Sequence, residues 1–234
     1  MNVLAVVHGA SVPAGLFCDE AERRGHRVDE WSLAWGTPPP LPVDGYGAVM
    51  IFGGAMHADQ DDRHPWLREE SLLIQRLLDQ HVPLFGVCLG AQLIAQAAHA
   101  PVRAMHEPEV GWFDVELTET ARDDPVLTAL PAAFPSFQWH YYAFSLPAGA
   151  RELARSRLCP QAFRLGDTAW GVQFHPEVTR EIVESWVEED AAELPVSVET
   201  FLAEFDRHAA GWEQIGRALA GAFVEVAERA AVRV

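Results

Sequence analysis

Basic residues are in short supply in this chain: 17 Lys and Arg face 34 Asp and Glu, giving a formal charge of −17 over 234 residues. So acidic a composition argues against a surface that tracks phosphates, and therefore against a nucleic-acid partner. Long apolar runs are missing too, and no stretch approaches the roughly 20 apolar residues that a membrane helix requires. The opening "MNVLAVVHGA" has neither the basic flank nor the long apolar core of a secretory signal. These absences point to a cytoplasmic protein without a membrane partner. Cysteine is rare as well: Cys18, Cys88 and Cys159 form an odd, widely spaced set with no metal-binding pairs, so each is judged singly as a thiol. No internal repeat, low-complexity segment or clear linker interrupts the chain.

What is present is alternation. "NVLAVV" (2–7) reads as a buried strand, "AGLFCDEAERRG" (14–25) as an amphipathic helix closed by Gly25, and "HRVDEWSL" (26–33) as a second strand. After the stiff connector "GTPPPLP" (36–42), "GAVMIFGG" (47–54) reads as a central parallel strand. "PWLREESLLIQRLLDQ" (65–80) has Pro65 at a first helical position and apolar residues at spacings of three and four, "VPLFGVC" (82–88) is the next strand, and "LGAQLIAQAAHA" the next helix. Strands alternating with helices of this length imply a doubly wound parallel sheet, with ligand sites at the carboxyl ends of the strands. Between about 102 and 175, "VGWFDVELT", "FQWHYYAF", "QAFRLGD" and "AWGVQFH" read as antiparallel or mixed additions joined by turns such as Leu165-Gly166-Asp167. The remainder is helical by period. Its stripe of Phe201, Phe205, Trp212, Ile215, Leu219 and Phe223 is read as core or as the contact of a homodimer.

One stretch carries chemistry on its face. "LFGVCLGAQLIAQ" (84–96) sets Cys88 between Gly86 and Gly90 where strand formers give way to helix formers. A Gly-x-nucleophile-x-Gly turn is a nucleophile elbow: glycines let the chain turn sharply and hold the central residue in a strained, exposed conformation. The helix that starts there aims free N–H groups and the positive end of its dipole at the sulfur, which favours a thiolate, and the same N–H groups can later face an oxyanion. The competing reading is a buried structural cysteine. A nucleophile needs a base, and "AWGVQFHPE" (169–177) ends an extended segment in His175-Pro176-Glu177. Such a histidine can take the thiol proton and pass it to a leaving amine while the carboxylate two residues on holds its tautomer. Alone, His-Pro-Glu would be a turn; with the elbow it becomes specific.

With "FGVCLGAQLIA" and "WGVQFHPE" in hand, the chain resembles the class I glutamine amidotransferases, and in particular stand-alone members similar to the amidotransferase domain of GMP synthase. "VMIFGGAM", "PWLREE", "PEVGWF", "FQWH" and "CPQAFRLGDTAWGVQFHPE" are similar to the family in the same order, so the likeness covers roughly residues 1–190. It implies a flavodoxin-like three-layer α/β/α fold with a mostly parallel sheet and added antiparallel strands, in a domain of residues 1–190. Residues 191–234 would be a helical extension packed on it. It further implies Cys88 as nucleophile, His175 as general acid/base, Glu177 as its orienting carboxylate, and the backbone N–H groups of Leu89 and Gly54 as oxyanion donors. Gln92 matches the position whose side chain contacts the substrate glutamine, and Gly53, His140 and Tyr141 would bind in the same pocket. The implied reaction is attack on the glutamine side-chain amide through a γ-glutamyl thioester, with no metal or organic cofactor.

Three departures qualify the transfer. The family's Gly-Gly-Pro is Gly53-Gly54-Ala55 here, which predicts a less rigid loop. Tyr141-Tyr142 replaces a short Gly/Asp segment after "QWH", which predicts a differently shaped mouth. No synthase domain or P-loop lysine is found, so ammonia would pass to a separate synthase subunit. Three readings follow: a glutaminase serving such a partner, a γ-glutamyl hydrolase or peptidase acting on conjugates, and a silent regulatory subunit, whose mark would be loss of a triad residue. None is lost. Elsewhere, His57 and His64 with Asp59, Asp61 and Asp62 read as a solvated acidic loop and no metal site is assigned. Trp112, Trp139 and Trp170 read as core before pocket floor, His8, at a strand's carboxyl end where it could approach the site, as a capping or solvent residue first, and Cys18 and Cys159 as inert.

Overall fold

The structure, a computed structural model, describes residues 1–232. Residues 233 and 234, the last two of the 191–234 extension, lie outside the described residues. The strands are β1 (Asn2–Val6), β2 (Arg27–Trp31), β3 (Ala48–Ile51), β4 (Leu84–Val87), β5 (Val102–Leu117), β6 (Ala133–Phe144), β7 (Arg151–Arg155), β8 (Pro160–Leu165) and β9 (Ala169–Val172). The helices are α1 (Gly15–Arg23), α2 (Trp66–Asp79), α3 (Leu89–Ala97), α4 (Arg180–Asp190) and α5 (Val198–Ala231). The strands join one sheet in the order β2-β1-β3-β4-β9-β8-β7-β5-β6. From β2 to β9 neighbours are parallel, and from β9 to β6 they are antiparallel. This is the flavodoxin-like α/β arrangement that the alternating pattern implies.

Period-2 alternation splits the core into two layers. Val3 and Ala5 of β1, Met50 of β3 and Phe85 of β4 face one side, where they meet Phe17 of α1 and Phe223 of α5. Leu4, Val6, Val49, Ile51 and Leu84 face the other, against Leu67, Ile74 and Leu77 of α2 and Leu93 and Ile94 of α3. The rings of Phe17 and Phe223 lie 5.1 and 5.2 Å from Phe85, and each fully buried Phe contributes roughly 1.5–3 kcal/mol.

The elements deviate from the sequence reading at their ends. The expected strands 2–7, 26–33, 47–54 and 82–88 are all shorter, because the last residues of several turn out of the sheet to build loops at its carboxyl edge. Pro65 precedes α2 as its cap instead of occupying the first turn. β7, "RELAR", escaped notice because its residues favour helix; ladder pairing with β8 and β5 overrides that preference. The C-terminal stripe is resolved: Phe201, Phe205, Trp212, Leu219 and Phe223 are all buried in the molecule's own core and Ile215 packs beside them.

α5 makes one approach that only glycine permits. A Cβ on Gly216 would lie 2.1 Å from the Pro176 carbonyl oxygen, whereas one on Gly211, an exposed position of the same helix, would meet nothing within 4 Å. Ala for Gly inside a helix ordinarily stabilises by about 0.5–1 kcal/mol. Gly211→Ala should follow that rule, while Gly216→Ala should reverse it and destabilise by roughly 1–3 kcal/mol through overpacking. Urea titration of both variants reads the two signs, and equal signs would remove this account of the helix.

Candidate active site

Cys88 ends β4 and caps α3 with φ 51° and ψ −106°, in the positive-φ region where a side chain costs about 1–3 kcal/mol. Its surroundings hold it there. The Cys88 amide donates to Val172 O of β9 at 2.8 Å, and Gln92 N donates to Cys88 O at 3.0 Å. The two glycines are needed for closeness: a Cβ on Gly86 would lie 2.6 Å from the Gly90 carbonyl carbon, and one on Gly90 would lie 2.1 Å from Ile51 O. α3 is thereby pressed against the end of β3 with the sulfur at its amino end.

His175, Pro176 and Glu177 follow β9 in a segment fixed by its backbone. His175 N donates to Phe137 O at 2.9 Å, and its carbonyl accepts the Trp212 indole N–H of α5 at 2.9 Å. The Pro176 carbonyl abuts Gly216, and the Glu177 carbonyl accepts from Leu16 N of α1 at 2.9 Å. The imidazole Nδ1 lies 2.7 Å from Glu177 Oε1, which assigns the Nδ1 proton to that bond and leaves Nε2 free of any protein partner among the described residues. Trp186 stands edge-on to the ring at 4.8 Å. Gly53 fits against both groups, since its missing Cβ would be 2.9 Å from His175 Cε1 and 3.8 Å from Cys88 Cβ. Burial opposes a charge on His175, but the Glu177 carboxylate and the neighbouring Cys88 outweigh that and lift its pKa to about 10.

A cavity of about 520 Å³ opens over the sulfur. Leu89, Gly54, Gln92, Trp139, His140, Tyr141 and His175 line it. Gly53 and Glu177 do not: the first is buried beneath the imidazole, so its expected place in the substrate pocket becomes a packing one, and the second sits behind the ring. Neither the Leu89 nor the Gly54 amide donates to a protein group among the described residues. Gln92 is already partly engaged, its amide nitrogen donating to Tyr142 O at 2.9 Å. His57, assigned from sequence to a solvated loop, lines the cavity instead and stacks on Tyr142 at 4.2 Å. Of the three tryptophans, Trp139 is wall, Trp170 is core, and Trp112 packs on Trp212. Glu189, Asp190 and Glu193 from the end of α4 and the turn after it give the rim an acidic side.

His8 lines the cavity, as its place at a strand's carboxyl end allowed, and is not the solvent residue that the sequence favoured. It is 7% exposed, with Nδ1 3.1 Å from Phe52 O and 2.9 Å from Gly53 O and Nε2 3.0 Å from both oxygens of Glu70. Burial works against its charge, yet Glu70 and the Gly53 and Phe52 carbonyls prevail and hold its pKa above the usual imidazole value.

His140 is held in the wall by one ring hydrogen bond, and its other nitrogen lies beside a carboxylate without bonding to it. Nδ1 lies 3.0 Å from Tyr142 O, and Nε2 is 3.0 Å from Glu109 Oε2. With Cys159 these two residues place three ligand-type atoms within 4.8 Å of one another, a grouping that positions 109, 140 and 159 gave no sign of. The same carboxylate oxygen accepts the Gln161 amide at 2.6 Å, and Gln161 in turn accepts from Gln138 at 2.8 Å, so the cluster is knitted as a hydrogen-bonded network. Burial and Glu109 push the Cys159 thiol up to about 12, which disfavours it as a nucleophile. Burial and Glu30 raise Cys18 as well.

A thiol at a strand-to-helix elbow, beside a His–Glu pair at the carboxyl edge of a doubly wound sheet, defines an α/β protein of the nucleophile-elbow type. The model of the class-I glutamine amidotransferase family matches residues 33–190, and the chain belongs to that family. It is 31% identical over 199 residues to YfeJ, a glutamine amidotransferase-like protein of Salmonella typhimurium, covering 83% of each chain. It is 35% identical to a GMP synthase of Aeropyrum pernix across 69% of its own length, yet spans only 32% of that enzyme. A γ-glutamyl-L-1-hydroxyisopropylamide hydrolase from a Pseudomonas species is 30% identical, over 68% of this chain and 59% of that one. The crystal structure of a glutamine amidotransferase from Thermotoga maritima superposes with a TM-score of 0.88 at 28% identity, over 96% of this chain and 98% of that one. No helix among the described residues is long and apolar enough to cross a membrane.

The raised pKa of His175 has a thermodynamic sign. A group whose folded pKa lies above its unfolded value stabilises fully below the unfolded value, and that contribution disappears as pH rises through the folded one. Going from the ordinary 6.5 to about 10, the gap in melting temperature between the parent protein and His175→Gln should therefore shift steadily against the parent. A gap that moves in the parent's favour with rising pH would sink the assignment.

Proposed function

We propose that the protein is a glutaminase of the amidotransferase type, in which Cys88, His175 and Glu177 act together. What carries the reading is the strained Cys88 at the head of α3, whose Cβ would be 3.8 Å from a Cβ on Gly53, the glycine over which lies a His175 ring bound to Glu177 at 2.7 Å. The proton of the Cys88–His175 pair rests on His175 Nε2, and the sulfur attacks the side-chain carboxamide carbon of glutamine. The tetrahedral oxyanion accepts from Leu89 N–H and Gly54 N–H, each worth about 3–4 kcal/mol to the transition state. His175 passes its proton to the departing nitrogen, ammonia leaves, and a γ-glutamyl thioester remains. Water, deprotonated by His175, cleaves the thioester to glutamate and restores the thiol. Ammonia then goes to a separate synthase. Residues 1–190 are read as the unit that does this chemistry and residues 191–234 as an extension packed on it.

A second reading is favoured by the similarity to a γ-glutamyl amide hydrolase and by the 520 Å³ cavity with Tyr141, Tyr142 and an acidic rim: the same thioester chemistry on a γ-glutamyl conjugate whose amine leaves in place of ammonia. A silent regulatory role is disfavoured because Cys88, His175 and Glu177 are all present in the sequence.

Glutamate release from glutamine and, separately, from γ-glutamyl amides of small amines decides between the first two. Cys88→Ala should abolish both activities, and His175→Gln should lower them by about 10²–10⁴-fold. A diazo-ketone analogue of glutamine should label Cys88 in the parent. If neither substrate is cleaved and the analogue does not react while iodoacetamide does, the glutaminase reading falls.

A further inference from the structure

We propose that His8, backed by Glu70, is a positioning residue that sets the direction of the Gly53–Gly54 peptide and so aims the Gly54 N–H at the oxyanion; this rests on the reading of Gly54 as an oxyanion donor. The argument begins with what the ring nitrogens face. Carbonyl oxygens only accept, so the Nδ1 that lies 2.9 Å from Gly53 O and 3.1 Å from Phe52 O must carry a proton. Nε2 meets both carboxylate oxygens of Glu70 at 3.0 Å. Whether the shared proton sits on Nε2 or on the carboxylate, Nδ1 remains a donor. Glu70 thus gives Nε2 its own acceptor, so a proton on Nδ1 does not have to move to meet the carboxylate, and Trp66, stacked on the imidazole at 5.5 Å and 17°, fixes the plane of the ring.

The consequence passes through one peptide bond. In a trans peptide the carbonyl oxygen and the following N–H point in opposite directions. Holding Gly53 O on His8 therefore turns Gly54 N–H away from His8. Two glycines in succession could otherwise rotate this peptide freely, and Ala55 stands where a proline would stiffen the loop. Space alone does not hold it: a Cβ on Gly54 would meet His8 Cβ at 2.8 Å and Leu89 Cδ2 at 3.0 Å, so glycine is required there and the rigidity has to come from outside the loop. His8 and Glu70 are both fully or almost fully buried, 62 positions apart, and have no place in the proton transfers of the proposed reaction.

The test uses the full chain and a double variant, His8→Phe/Glu70→Leu, which removes the donor without leaving a buried carboxylate unpaired. Hydrolysis should fall by about 10²–10³-fold in kcat, the loss of one oxyanion donor, with KM little changed. Alkylation of Cys88 by iodoacetamide, read by peptide mapping, forms no oxyanion and should keep its parental rate. His8→Asn/Glu70→Leu, whose amide nitrogen overlays Nδ1, should recover at least about tenfold of the loss. Where the first variant does not fold, His8→Leu/Glu70→Met takes its place. Hydrolysis at the parental rate, or alkylation that falls in step with hydrolysis, overturns the proposal. If the parent cleaves no γ-glutamyl amide, the functional reading has failed separately, and crystal structures of the parent and a folded variant still decide the geometry. A turned or doubly oriented Gly53–Gly54 peptide in the variant supports the positioning role, and one unchanged orientation refutes it.

Discussion

Three consecutive carbonyl oxygens, those of His175, Pro176 and Glu177, are each met by a residue of α5 or α1, and the candidate site depends on that arrest. Trp212 of α5 donates to the first, Gly216 of α5 lies flat against the second, and Leu16 of α1 donates to the third. A loop after a strand would normally let its backbone carbonyls wander in water. Here the fixed backbone leaves the His175 side chain little choice of direction, so its ring lies over Gly53 beside the sulfur. The strained φ of Cys88 is sustained by the same logic: hydrogen bonds to β9 and contact of Gly90 with Ile51 over-determine it from both sides.

Electrostatically the cavity is surrounded by a repeated device. His8 with Glu70, His140 with Glu109 and His175 with Glu177 are buried imidazole–carboxylate pairs at 3.0, 3.0 and 2.7 Å. Each places the carboxylate on the side of the ring away from the groups the imidazole serves. A buried charge is costly unless partnered, and in a chain of net charge −17 carboxylates are the partners in supply. The pairs differ in what the opposite ring nitrogen meets: backbone carbonyls for His8 and His140, and no protein partner for His175. That difference separates rings whose two nitrogens both face protein groups from one that keeps a nitrogen open beside the cavity.

Local sequence made some of this legible and topology hid the rest. The elbow and the His-Pro-Glu segment could be read because their residues are neighbours in the chain, and close packing demands glycine at fixed offsets from Cys88. The parallel strands were readable from short apolar runs between helices, and the C-terminal stripe from its helical period. His8 could not be interpreted alone, since its meaning comes from Glu70, which helical spacing sets on the same buried face of α2 as Leu67, Ile74 and Leu77 but which no local signal pairs with position 8. Glu109, His140 and Cys159 meet only because β5, β6 and the start of β8 converge through sheet pairing. β7 was concealed by helix-favouring residues whose pairing outweighs their preference. The place of α5 behind His175 followed from no local signal at all.

That last feature bears on the order in which the protein comes into being. Chains are synthesised from the amino end at about 5–20 residues per second and fold progressively as they emerge. Cys88 is made early, His175 later, and the indole that anchors the His175 carbonyl later still, at position 212. A nascent chain can thus form the elbow and much of the parallel sheet while the segment carrying His175 still lacks its final support. Competence of the site waits until Trp212 has emerged, so a product truncated before it would carry the thiol without the scaffold that directs it.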